Sequence, residues 1–277
     1  MAMTVRTNIA SMFSISRLGR TNVELRRNLE RLSSGRRINS ARDDAAGLAV
    51  AEILESASRG LRVALRNAND GLAFLQTAET AAAEVSNIVK RMRELAVQSA
   101  SDTLADSERS YLQEEFVALS TEVDRIANAT NFNGVSVADG STTSIGIQVG
   151  ISNAPGNDQI QIILTALTAT AVGVDAGAVD LSSSTNAQNS IALLDGALDY
   201  VNGARSELGA VQNRVESAIR QVDTYMRSIT TAESQVRDAD YAIESAQLTK
   251  YQVMQQAGVA VLAQAKNINT AAAQLLQ

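Results

Sequence analysis

The chain has 277 residues, 45% apolar and 19% charged, with 16 Gly, one Pro and no His, Cys or Trp. Without His or Cys there is no Ser-His-Asp triad, no thiolate nucleophile, no disulfide framework, and no zinc, haem or iron-sulfur ligation of the usual kinds. The net charge of -6 excludes a globally basic nucleic-acid footprint, yet it is uneven: residues 1–42 hold nine Arg and two Glu, while six Asp and no Lys or Arg lie between Arg125 and Arg205.

At the N-terminus, residues 1–35 are loosely amphipathic through Leu18, Leu25, Leu29 and Leu32, a pattern that is marginal as an isolated helix. The stretch Arg31 to Gly47 packs four Arg, three Ser and two Gly into a joint. It lacks the Gly-x-x-x-x-Gly-Lys-Ser/Thr pattern of a phosphate loop and reads as a spoke or hinge, with Ser34, Gly35, Asn39, Asp43 and Asp44 as its key residues. Ser40 and Asp43 have capping-box spacing, which places a helix start near 41–44.

From Gly47 to Ala96 small or apolar residues recur at strict 3/4 spacing, among them Leu54, Leu61, Leu75, Val85 and Val89. A period of 3.5 describes a coiled-coil seam, and at about 1.5 Å per residue it extends for about 75 Å. Beyond the polar break at 99–107, in which Thr103 and Asp106 can cap, a short central helix is predicted near 105–128 with Leu112, Phe116, Leu119, Val123 and Ile126 on one face. Asn128 to Gly134 is turn-rich, and the period then becomes two. Ile145, Ile147, Val149 and Ile151 alternate outward, and Ile160, Ile162 and Leu164 return, a β-hairpin near 141–168. Residues 165–189, rich in Ala, Thr, Gly, Val and Ser, are expected to form an exposed irregular segment.

A second seam runs from Val201 through Leu208, Val215, Val222, Ile229, Val236 and Ile243 to Ala246, strict until Lys250. Residues 250–277 are again looser. The fold class is therefore mainly α, with long antiparallel coiled-coil helices from both termini, a short central helix and a small hairpin region. The expected organisation is a discontinuous terminal unit, 1–43 plus 235–277, and a helical unit, 44–234.

Catalytic sets are thin. Asp43-Asp44, Glu114-Glu115 and Asp238 with Asp240 are carboxylate neighbours at spacings that do not face each other on a helix. Lys90-Arg91-Met92-Arg93 lies among heptad positions and acidic residues without interleaved aromatics, a solvated face more than a nucleic-acid site. No cofactor is implied and the chain reads as a non-enzyme. No run approaches the roughly 18 apolar residues of a membrane span, and no cleaved signal peptide is visible.

Several motifs, in order along the chain, resemble bacterial flagellin. They are Leu29-Glu-Arg-Leu-Ser-Ser-Gly-Arg-Arg-Ile-Asn-Ser-Ala-Arg-Asp-Asp-Ala-Ala-Gly-Leu-Ala49, Arg91-Met-Arg-Glu-Leu-Ala-Val-Gln98, Thr130-Asn-Phe-Asn-Gly134, Leu208 to Ile219, Asp238 to Glu244 and Gln256 to Gln264. The resemblance implies a minimal flagellin without the variable outer domains, whose terminal segments fold as they polymerise into the helical filament. It implies an extracellular destination reached through the flagellar type III pathway, an export chaperone at the C-terminal segment, and cap and hook-filament junction proteins as neighbours. It also carries over an innate-receptor contact of the Toll-like class to Arg91, Leu95 and Glu115, whose plainer role is intersubunit packing. Nucleic acid and membrane insertion are not implied. The runner-up readings are a hook-filament junction protein and an amphipathic helical surface-coat protein.

Overall fold

The computed structural model describes residues 7–152 and 154–274. The outer ends of the expected terminal coiled coil, residues 1–6 and 275–277, and Asn153 of the expected hairpin turn lie outside the described residues. The chain forms α1 (Ile9–Ser34), α2 (Ala45–Ser99), α3 (Asp106–Ala129), β1 (Asn131–Phe132), β2 (Val135–Ser136), β3 (Ser144–Gln148), α4 (Pro155–Asp158), β4 (Gln159–Ile163), α5 (Ala169–Val172), α6 (Ser184–Arg237) and α7 (Tyr241–Gln274). Its internal contacts divide it into two compact units, Ala57–Arg227 and Met1–Ser56 with Ser228–Gln277.

The larger unit holds the main core. Leu75, Val85, Val89, Met92 and Leu95 of α2, Phe116 and Val123 of α3, and Leu194, Val201, Leu208 and Val215 of α6 are buried together. Ion pairs from Arg93 to Asp195 (2.6 Å) and from Arg205 to Glu79 (2.9 Å) flank this seam and show that α2 and α6 run antiparallel. The hairpin pairs Ser144 with Ile163 through Gln148 with Gln159. It seats on α2 where glycines leave room: a Cβ built at Gly71 would fall inside the Ile147 side chain, and one at Gly60 would stand 2.9 Å from Ile151. A second, two-residue hairpin, β1–β2, turns at Asn133 and Gly134, both at positive φ (50° and 80°), the conformation of the turn-rich motif read from the sequence.

Four expectations need correction. The third helix starts at 106 without help from Thr103: Glu108 accepts the backbone N–H of Ala105 at 3.0 Å, and Thr103 pairs with Ser101. The start of α2 is capped by Asp44, which accepts the Gly47 N–H at 2.9 Å, while Asp43 turns back to Ser40. The segment 165–189 is not exposed. Leu167, Val172, Val174, Val179 and Leu181 are buried in the core, and residues 184–189 already belong to α6. Polar side chains staple it there: Asp124 of α3 accepts the Ala169 N–H, Gln113 accepts the Leu181 N–H, and the Ser99 hydroxyl donates to the Leu181 carbonyl, each at 2.7 Å. Finally, the C-terminal seam is not one helix. It breaks at 238–240, and Asp240 starts α7 afresh by accepting the N–H groups of Ala242 and Ile243.

The glycine notch generates a prediction. Gly71→Val overpacks the hairpin seat and is expected to destabilise the protein by about 1–3 kcal/mol, whereas Gly203→Ala, with nothing within 4 Å of the new Cβ, should gain up to about 1 kcal/mol from helix propensity. Thermal denaturation checks both; a Gly71→Val protein that melts with the parent would contradict the seating of the hairpin.

Candidate functional site

The smaller unit is built from α1, α7, the joint between α1 and α2, the start of α2 and the end of α6. Seam positions of α1 follow 3/4 spacing as Ser11, Ser14, Leu18, Thr21, Leu25, Asn28 and Leu32, all buried or half-buried. On α7 the facing set is Glu244, Leu248, Tyr251, Gln255, Gly258, Leu262 and Ala265. Across the break at 238–240 this set is displaced by one to two residues from the continuation of the α6 seam. The two helices are antiparallel: the Asn8 amide donates to the Ala265 carbonyl at 2.8 Å, the Gln255 amide donates to Asn22 at 2.8 Å, and the Asn28 amide donates to Glu244. Leu18 packs over Gly258, where a Cβ would stand 3.3 Å from it.

The pair has an inverted distribution of polarity. The fully buried residues of α1 are Ser11, Thr21 and Asn28. Ile9, Met12, Phe13, Ile15, Val23 and Leu29 of α1 and Tyr241, Ile243, Val253, Met254, Val259 and Val261 of α7 face outward, between 45% and 73% exposed. Outward apolar residues on both helices form the kind of surface that monomeric proteins rarely leave uncovered.

At the joint, α1 ends on Gly35, which takes the left-handed conformation (φ 69°) and so stops the helix. Ser34, the last helical residue, accepts the Arg36 N–H. The strand-like residues then pair with the break between α6 and α7: Arg36 bridges Asp238, the Arg37 N–H donates to the Arg237 carbonyl (2.7 Å), and the Ala239 N–H donates to the Gly35 carbonyl (3.0 Å). Arg237 donates to Glu55 at 2.6 Å and pins the start of α2 to the same place. Ile38 is buried beneath, and Asn39 caps the turn by donating to the Arg36 carbonyl. Burial alone would push the Asp43 carboxyl up, but hydrogen bonds from the Ser40 hydroxyl and from the Ser40 and Asn39 backbone, with the positive charge of Arg31, outweigh it and hold Asp43 below the ordinary carboxylate value. All five residues read as a hinge thus lie in or beside one joint that couples both chain breaks, a pairing that sequence spacing alone does not reveal.

The other residues singled out fall as follows. Leu61, Leu75, Val85, Val89, Leu208, Val215, Val222 and Ile229 are buried, Leu54 and Val236 are half-buried, and Ile243 is on the outward face of α7. Arg91 and Glu115 meet on the surface of the larger unit, with Arg91 Nη2 2.8 Å from the carboxylate and Glu94 at 3.1 Å on its other side. Leu95 is fully buried beneath them. Among the described residues no group of three or more His, Cys, Asp or Glu could hold a metal ion, and no helix is long and apolar enough to cross a membrane.

An outward-facing apolar helix pair in one unit and a closed core in the other define a structural subunit made to assemble. The family models for the bacterial flagellin N-terminal and C-terminal helical regions match residues 5–143 and 191–276. The chain is 39% identical to a flagellin of Halalkalibacterium halodurans over 99% of its length and all of that protein, and 37% identical to the flagellar filament 33 kDa core protein of Treponema phagedenis over 99% of its length and all of that protein. The crystal structure of Bacillus cereus flagellin superposes with a TM-score of 0.50 at 32% identity, covering 57% of this chain and 88% of that one. The chain belongs to the bacterial flagellin family, the structural subunits of the flagellar filament. It is a short form, in which the β3–β4 hairpin, the stapled segment and the first turns of α6 lie between the two matched regions.

The joint carries a pH prediction. Because the folded-state pKa of Asp43 is lowered, its contribution is complete above the ordinary carboxylate value of about 4 and is lost as pH falls through the lower folded value. Asp43→Asn should cost about 1–3 kcal/mol at neutral pH, and the gap to the parent should narrow as pH drops below about 4. Thermal melts from neutral to strongly acidic pH test this; a gap that stays constant would contradict it.

Proposed function

We propose that this flagellin builds the motility filament by a coupled step in which α1 and α7 complete their burial only against neighbouring copies. The observation that carries this reading is the outward apolar face of both terminal helices. Helices of this kind are marginal alone, and segments that cannot bury enough apolar surface order only when a partner supplies the rest. A head-to-tail contact of unlike patches that does not close gives an open helical polymer. In this reading the terminal segments, 1–43 and 235–277, serve assembly, and the independently packed part of the subunit lies within 44–234.

The finer assignments follow from the same reading. The destination is the extracellular filament, reached by the flagellar type III route without a cleaved signal peptide. A flagellin-specific chaperone holds the C-terminal segment before export, and cap and hook-filament junction proteins meet the subunit at the two ends of the polymer. For a Toll-like receptor, the folded surface offers Arg91 and Glu115 side by side, with Leu95 acting from below as packing.

Electron microscopy of purified protein, concentrated with a salting-out salt and short seeds, should show long tubular filaments of uniform width. Phe13→Asp with Val261→Asp should raise the critical concentration about 30-fold or more while leaving the thermal transition of the larger unit in place. Filaments that form as readily from the double variant would overturn the reading. Purified monomer should also activate a Toll-like receptor reporter and lose potency with Arg91→Ala; no response at high concentration would remove that partner.

A further inference from the structure

We propose that the buried hydrogen bond from Asn28 to Glu244, not the apolar seam, sets the register of α1 against α7. The inference deepens the filament reading and rests on it, because a subunit can present matched apolar faces to its neighbours only if the two helices pair in one register. The apolar part of the seam does not specify that register. On α1 it consists of Leu18, Leu25 and Leu32, one heptad apart, and on α7 of Leu248 and Leu262, two heptads apart, with the half-buried Tyr251 between them and Gly258 and Ala265 as small fillers. A slip by seven residues returns leucines to seam positions and leaves the outward faces apolar, so burial hardly distinguishes the two arrangements.

The polar positions do distinguish them. Asn28 and Glu244 are almost wholly buried, and the carboxylate takes the Asn28 amide on one oxygen and Arg31 Nη1, at 3.3 Å, on the other. One heptad away Glu244 would face Thr21 or run past the end of α1 at Gly35, and it would lose Arg31 in either case. A buried carboxylate without its partners is heavily penalised. Asn22 and Gln255 add a second bond that a slip breaks, and Asn8 joins the Ala265 carbonyl at the far end. A single buried Asn at a seam position is a known means of fixing register in coiled coils, at some cost in stability. Here the paired polar groups share the inside of the pair with a few leucines, and the exposed apolar side chains remain for neighbouring subunits.

The absence of cysteine in the chain makes the test direct. Asn22→Cys with Gln255→Cys reports the observed register, and Asn22→Cys with Leu248→Cys or with Leu262→Cys reports a slip of one heptad in either direction. Each pair is made in the parent chain and in Asn28→Leu/Glu244→Leu, assembled into filaments and treated with a mild thiol oxidant; the band of the internally cross-linked monomer is measured. In the parent background only the first pair should close, because slipped positions are too far apart for a disulfide. In the leucine background the slipped pairs should rise about tenfold. Asn28→Ser, which keeps the seam polar and breaks only the bond to Glu244, gives the same readout if the leucine variant does not assemble. Slipped pairs that stay at background in both variants overturn the inference, whereas cysteine-free parent protein that forms no filaments overturns the assembly reading and the inference with it.

Discussion

The structure depends on one constraint: the terminal helices share only a thin apolar seam, Leu18, Leu25 and Leu32 against Leu248, Tyr251 and Leu262, and turn many other large apolar side chains outward. In α1 the buried positions are Ser11, Thr21 and Asn28, and Phe13, Met12 and Ile9 lie outside. Each such side chain gains about 1.5–3 kcal/mol when it leaves water, so the terminal pair holds a large unrealised stabilisation in the single chain. The larger unit is the opposite case. Its core of α2, α3, α6, the hairpin and the stapled segment is closed within one chain.

Within the smaller unit the joint holds α1, α7 and the start of α2 together. Both chain breaks, at Gly35 and at 238–240, are paired through backbone hydrogen bonds, and Arg237 ties them to Glu55 at the start of α2. Neither terminal helix can therefore change its direction at the joint without breaking a contact to the other. A polymer built from such subunits can couple the order of its terminal helices to the position of both breaks together.

Much of this was legible in the sequence, for physical reasons that differ by element. The 3/4 spacing from Gly47 to Ala96 showed α2 because a helix buried along one seam must repeat near 3.5, and the alternation at Ile145, Ile147, Ile160 and Ile162 showed the hairpin because a strand repeats at two. The break at 238–240 was hidden because Val236, Ala239 and Ile243 keep the heptad through it. Asp240 followed by Glu244 was the available signal, an N-cap and a first-turn carboxylate inside an apparently continuous pattern. Residues 165–181 looked exposed because Ala, Thr and Gly carry no period. Their burial is imposed by Asp124, Gln113 and Ser99, residues from distant parts of the chain. The hinge residues were recognisable as a group by their composition, yet their partner at 238–240 was not, since backbone pairing leaves no side-chain signature. The register bonds of α1 were equally silent, because an Asn at a seam position reads as a weak point in the heptad until its partner is seen.

The central claim, that α1 and α7 finish folding only in the polymer, is tested most directly by amide hydrogen exchange on the same protein as monomer and as filament. The account predicts fast exchange across residues 9–34 and 241–267 in the monomer, with protection in α2, α3 and α6 of the larger unit, and strong protection of both terminal segments once filaments have formed. Terminal segments as protected in the monomer as in the filament would contradict it.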